Sequence, residues 1–169
     1  VTACAATGPV ITKPIRDSKK LSAKQREAFF GIFCGDRNIQ WAVSSVMPKT
    51  IDSVNVFEAR LLAAERAVLK LEKALARHAD LILLDGRNVL RITRRQKAIV
   101  KGDEKIALIA MASIIAKVTR DRAMVRYHKK YPQYGFDAHK GYGTKRHYEM
   151  LKQHGPCPIH RRSFNLTNY

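Results

Sequence analysis

A mixed α/β domain is predicted for this chain by three observations. Short apolar or β-rich runs alternate with longer stretches whose apolar residues recur every three or four positions, the pattern of strands interleaved with helices. The 169 residues are 46% hydrophobic, enough for one core without disulfide or metal staples. No internal repeat, low-complexity tract or linker divides them, so residues 1–169 read as a single domain.

The stretch from Val1 to Ile15 is β-rich and broken by Gly8-Pro9, which reads as a strand and an irregular connection. Ser22, with Gln25 three residues on, forms a capping-box pattern. It starts a helix that ends near Gly31 or Gly35 and has Ala28, Phe29, Ile32 and Phe33 as its apolar side. Asn38 to Met47 alternates around Trp41 and Val43, a strand stopped by Pro48. From Thr50 to about Arg77, the positions Phe57, Leu61, Leu62, Val68, Leu71 and Leu75 keep the helical period, and Asn55 marks a break between a short helix and a long one. Leu81-Ile-Leu-Leu84, closed by Asp85 and Gly86, has the form of a buried parallel strand ending at a functional edge. A basic stretch from Arg87 to Lys97 then leads to a short strand at Ala98 to Val100.

From Asp103 onward more than twenty residues pass without Pro or Gly, predicting one long helix with Asp103 near its entrance. Leu108, Met111, Ile115 and Val118 share one face; Ser113, Lys117, Arg120 and Asp121 share the other. Because its first half is apolar or small almost all round, this helix is buried near its start and emerges near its end. After Tyr131-Pro132 the composition turns to Gly, Tyr, His and Lys, predicting a loop rather than packed structure. Thr144 caps a last helix to about His154, and Gly155-Pro-Cys-Pro stops it.

Thirty-two Lys and Arg against 14 Asp and Glu give a formal charge of +18 and a pI near 10.2. That excess points to a polyanion, nucleic acid first; a general solubility or organismal bias is the plainer explanation. The basic residues are dispersed rather than gathered on one amphipathic helix, which argues against a membrane surface, and no apolar run approaches the roughly 18 residues of a span. Cys4, Cys34 and Cys157 are odd in number and widely spaced, which points away from a disulfide framework and toward a reducing, cytoplasmic compartment. Cys157 lies near His154 and His160, but two prolines flank it and no third partner is visible in sequence, so a thiol nucleophile or zinc site is not favoured.

Lys101-Gly-Asp103-x-Lys105 followed by Ala112-Ser-Ile-Ile-Ala-Lys-Val-Thr-Arg-Asp-Arg122 resembles the signature of bacterial ribonuclease HII. Four further stretches agree in order and spacing: Asp17-Ser-Lys-Lys-Leu-Ser22, Leu83-Leu-Asp-Gly86, the run from Tyr131 to Thr144, and His160-Arg-Arg-Ser-Phe164. The family's opening Asp-Glu-x-Gly-Arg-Gly element is not among these residues, so the chain reads as an N-terminally truncated member. The resemblance implies a ribonuclease H-like fold, a five-stranded mixed sheet with helices on both sides and a helical C-terminal extension. In that fold the absent segment is the first, central strand, which would leave two unpaired edges and a poorly stable chain.

The resemblance also implies an activity: hydrolysis of the RNA strand of RNA/DNA hybrids and cutting 5′ of ribonucleotides embedded in duplex DNA, by a monomer using two Mg²⁺ or Mn²⁺ ions. Phosphodiester cleavage of this kind needs carboxylate oxygens brought together from separate elements. Asp85 and Asp103 match two of the family's four catalytic, metal-holding acids; a strand-end turn former and a helix N-cap are their plainer roles. With half the acidic set, the chain as written is expected to be inactive. Asp121 lies 18 positions beyond Asp103, about 27 Å along one helix, too far to share a metal pair, and is expected to pair with Lys117, Arg120 or Arg122. For nucleic-acid contact, Lys19 and Lys20 precede a helix N-terminus, where a phosphate binds or a basic turn is simply solvated. Ser113 and Lys117 share the helix face leaving Asp103 and line a groove. Tyr142, flanked by glycines, matches the family tyrosine that recognises the RNA–DNA junction and its 2′-hydroxyl; otherwise it is tacked onto the core. His139 and His147 read as structural or phosphate-proximal rather than general bases. A non-catalytic basic nucleic-acid-binding domain is the rival of another class, and a DNA-specific transposase or resolvase of the same fold is a weaker third.

Overall fold

The computed structural model describes residues 2–8 and 21–164. Its elements run β1 (Thr2–Thr7), α1 (Ala23–Gly35), β2 (Gln40–Ser45), α2 (Pro48–Leu75), β3 (Ile82–Asp85), β4 (Gln96–Ile99), α3 (Gly102–Lys105), α4 (Ala107–Lys130), α5 (Phe136–His139) and α6 (Lys145–His154), with a 3₁₀ turn at Pro132–Tyr134. β1 pairs antiparallel with β2, Thr2 opposite Ser45 and Thr7 opposite Gln40. β3 pairs in parallel with β4, Asp85 opposite Ile99. The mixed pairing is as expected. Among the described residues, however, the strands form two separate ladders of two, not one five-stranded sheet.

The period of two along β1 places helices on both faces. Cys4 and Ala6, with Trp41 and Val43 of β2, pack against Met111, Ile114, Ile115 and Val118 of α4 and Phe33 of α1. Ala3 turns the other way, into Ile51, Ala59 and Ala63 of α2. Ala59, Ala63 and Ala67 of α2 are completely buried and let its backbone approach the strands closely. α4 is sealed over its first three turns and carries its charges beyond them, as its sequence predicts.

Local signals hold well. The Ser22 hydroxyl accepts from the Gln25 amide at 3.2 Å while the Gln25 side chain accepts from the Ser22 amide at 2.8 Å, a complete capping box. Asn55 breaks α2 at φ 70°, ψ 169°, and its Oδ1 accepts from the amides of Phe57 and Glu58, restarting the helix.

Four expectations are corrected. Ile32 and Phe57, placed on apolar faces, are 63% and 44% exposed, because the sheet covers only part of each helix. β4 begins at Gln96, inside the predicted basic stretch, where the Gln96 amide holds the preceding loop through Leu90 and Ile92. The segment after Tyr131 is packed, not open loop: Tyr134 and Phe136 are buried and stacked, joined by Leu151 of α6. Asp103 does not begin the long helix, since Ile106 adopts extended backbone and separates α3 from α4.

The C-terminal end of α2 is tied to the strand that follows. Glu72, buried, accepts from the Ala79 amide at 2.9 Å and pairs with Arg94 and His78. Those partners, the amide foremost, hold its carboxyl down to about 2. At the other end of α2, Asp52 accepts from the Arg162 and Ser163 amides, clipping the C-terminal segment to the body.

Replacing Asn55 tests the kink. Asn55→Ala loses both amide bonds and keeps the strained backbone, and is expected to cost about 1–2 kcal/mol in urea unfolding, whereas Asn55→Gly relieves the backbone and costs a few tenths.

Candidate active site

Asp85 is the last residue of β3, followed by Gly86 at φ +110°. That conformation turns the chain away from the strand end, and the Gly86 amide still closes the ladder on the Ile99 carbonyl at 2.9 Å. Parallel pairing puts the end of β4 beside the end of β3, so whatever follows Ile99 emerges next to Asp85. Lys101, left-handed at φ 56°, then reverses the backbone into α3.

The reversal aims the Gly102 amide at Asp85, and it donates to Oδ1 at 2.8 Å. A Cβ on Gly102 would lie 2.8 Å from Ile109 Cδ1 and 3.4 Å from the Asp85 Cα. Only glycine allows this approach without displacement. Asp103, the next residue, is 3% exposed. The structure therefore brings Asp85 and Asp103 to neighbouring positions on one edge. Their oxygens are hard donors of the kind a divalent ion takes. Among the described residues no group of three or more acidic, His or Cys side chains gathers there, so the donors fit in kind and number two.

A second cluster lies farther along α4. Tyr142, 56% exposed, stands over the helix with Lys117 Nζ 5.1 Å and the Arg120 guanidinium 4.8 Å from its ring centre. Lys117 Nζ also donates to the Tyr142 hydroxyl at 3.3 Å. Asp121 binds Lys117 at 2.9 Å and Arg120 at 3.2 Å, as expected, but Arg122 pairs instead with Glu27 of α1 and lies over Phe30. Arg120 was legible as a charge on this face yet not as a partner of Tyr142, because the loop that brings the ring to it is 20 residues away. Ser113 is half-buried one turn before Lys117 on the same face. Lys19 and Lys20 lie outside the described residues.

Cys157 does have a third partner. Its Sγ lies 3.1 Å from His160 Nδ1, and His160 Nε2 lies 3.0 Å from His147 Nε2. Burial pushes the thiol up, away from thiolate, which counts against the nucleophile reading. The sequence gives no signal for this trio, since His147 sits on α6 and the other two on the turn after it.

The ribonuclease HII family model matches residues 9–167. The chain belongs to the ribonuclease HII family. It is 49% identical over 155 residues to ribonuclease HII of Endomicrobium trichonymphae, covering 91% of this chain and 71% of that one. It is 46% identical over 151 residues to that of Idiomarina loihiensis, covering 89% and 78%. Ribonuclease H2 of Pyrococcus horikoshii OT3 superposes at a TM-score of 0.73 with 26% identity, covering 99% of this chain and 95% of that one. As a member of this family the chain is a ribonuclease, a hydrolase of phosphodiester bonds, with a ribonuclease H-like fold.

The fit at Gly102 yields a test. Gly102→Ala is expected to cost about 1–3 kcal/mol by overpacking against Ile109 and to move α3 off Asp85, seen as loss of the slowed exchange of the residue-102 amide.

Proposed function

We propose that this chain carries the endonuclease core that hydrolyses the RNA strand of RNA/DNA hybrids and cuts 5′ of ribonucleotides embedded in duplex DNA. The observation that carries the reading is the junction of Asp85 with Gly102-Asp103, two acids from separate elements on one edge. It is supported by family membership, by the charge of +18, and by an exposed tyrosine framed by two cations.

Asp85 and Asp103 hold Mg²⁺ or Mn²⁺ in this reading. A pair of such ions supplies charge neutralisation at the phosphodiester and a more acidic attacking water. Asp85 is oriented by the Gly102 amide, and Asp103, the residue after Gly102, is buried. Ser113 and Lys117 line the path along α4, and Lys117 takes a backbone phosphate. Tyr142 stacks on the sugar or base at the RNA–DNA junction, where a 2′-hydroxyl marks the ribonucleotide. Lys19 and Lys20 hold a further phosphate. The protein acts as a cytoplasmic monomer without a membrane, and no helix among the described residues is long and apolar enough to cross one.

Cleavage of a labelled hybrid in Mg²⁺ or Mn²⁺ tests the reading. With two acidic donors, the 169-residue chain alone is expected to be inactive, and the same chain preceded by an Asp-Glu-bearing strand to cut well. In that extended form Asp85→Asn and Asp103→Asn each lower the rate by more than about 100-fold, beyond what loss of an outer-shell partner costs. Binding that persists with no metal-dependent cutting in either form identifies a non-catalytic nucleic-acid-binding domain and overturns the proposal. Cutting of all-DNA duplex alone does so too. For the contacts, Tyr142→Ala is expected to weaken hybrid affinity by about 5- to 100-fold through lost stacking, and Lys117→Ala to lower the salt slope by about 0.9.

A further inference from the structure

The loop bearing Tyr142 is held by histidines whose tautomers the hydrogen bonds dictate. The Cys157 amide can only donate, and it meets His160 Nδ1 at 2.9 Å, so that nitrogen is the acceptor. A neutral His160 then carries its proton on Nε2, which faces His147 Nε2 at 3.0 Å. His147 must accept there and carry its own proton on Nδ1, which donates to the Tyr142 carbonyl at 2.9 Å. Every bond in the series has its direction fixed by the first.

His139 repeats the logic beside it. The Gly141 amide donates to its Nδ1 at 3.1 Å, so Nε2–H donates to the Tyr134 carbonyl. The His139 and His147 rings stack 4.4 Å apart, and Phe136 presents its ring to His139, His147 and His160. Lys140 at φ 52° and Gly141 at φ +76° make the left-handed corner that swings Tyr142 toward α4.

We propose that His147 and His160 are positioning residues for Tyr142: a one-way series of hydrogen bonds, from the Cys157 amide through both imidazoles to the Tyr142 carbonyl, holds the loop that presents the tyrosine to nucleic acid. The role of that loop rests on the reading of Tyr142 given above. The series works only with both rings neutral, because a second proton sets two N–H groups facing each other: on His147 it opposes His160 Nε2–H across 3.0 Å, and on His160 it opposes the Cys157 amide across 2.9 Å. The titratable groups around the pair are His139 from α5, Tyr134 from the 3₁₀ turn, Cys157 on the terminal turn and Tyr148 on α6. The cations nearby are Arg146, whose side chain lies with that of His139 around Gly135, and Arg120, bonded to the Lys140 carbonyl. No carboxylate contacts either ring among the described residues. Burial, then the neighbouring histidine, lowers His160 from 6.5 to about 4, and burial lowers His147. An unfolded chain takes up these protons near 6.5 while the folded one does not, so stability is expected to fall as the pH drops from about 6.5 toward about 4.

Imidazole ¹⁵N spectra of the 169-residue chain test the series without any variant. The expected result at neutral pH is a proton on Nε2 of His160 and on Nδ1 of His147, with His160 staying neutral until the pH nears 4. The opposite tautomer in either ring, or protonation near 6.5, overturns it. In a second arm, His147→Phe is expected to shift the Gly141, Tyr142 and Thr144 amide signals and weaken hybrid affinity about 3- to 10-fold, the worth of one hydrogen bond. His147→Asn, whose amide nitrogen can take the place of Nδ1, should restore both. Unmoved loop amides in His147→Phe sink the proposal. Full affinity in Tyr142→Ala, with the tautomers and amide shifts as expected, supports the histidine series and removes only the assigned role of the tyrosine.

Discussion

The hydrogen bond from the Gly102 amide to Asp85 Oδ1 joins elements that the chain separates by a basic loop and a strand. Its geometry follows from parallel pairing. When β4 runs alongside β3, both strands end at the same edge, and the chain leaving β4 has to pass the residue that closes β3. Glycine at 102 lets it pass closely, and the left-handed Lys101 turns the next helix so that its first amide, that of Gly102, faces the acid. An acid at such an amide is favoured whatever its further role. The same contact fixes a carboxylate whose remaining oxygen lone pairs are available to a cation.

Much of the rest of the fold supports that edge. α4 is the buried support beneath both β1 and α3, and its sealed first half leaves its polar face to begin where the acids end. Glu72 anchors the turn leading into β3 to the loop leading into β4, so the parallel pair is braced at its entrance as well as at its exit. A buried carboxylate of this kind is costly unless every partner is in place, and here an amide, a guanidinium and an imidazole supply them.

The C-terminal region solves a different problem. A tyrosine on a glycine-flanked loop needs support, and above it α4 supplies the two cations Lys117 and Arg120. The packing beneath is therefore aromatic and imidazole-rich, with Tyr134 and Phe136 as its floor. Imidazoles combine flat apolar area with a directed donor and acceptor, so they fill this space and also bind the loop carbonyl. Asp52 closes the arrangement by holding the chain that follows His160 against α2.

What the residues determined alone are the local features: the capping box at Ser22, the restart at Asn55, the cap at Thr144, the buried face of α4, and the two acids beside glycines. Each is set by neighbours within four positions, where periodicity and backbone chemistry act directly. Tertiary structure alone decided that α3 stands apart from α4, that Tyr134 and Phe136 are core, that Arg120 meets Tyr142, and that His147 meets His160. These depend on which surfaces are left to cover once strands and helices have packed, and that remainder is a property of the assembled layers rather than of any window of sequence.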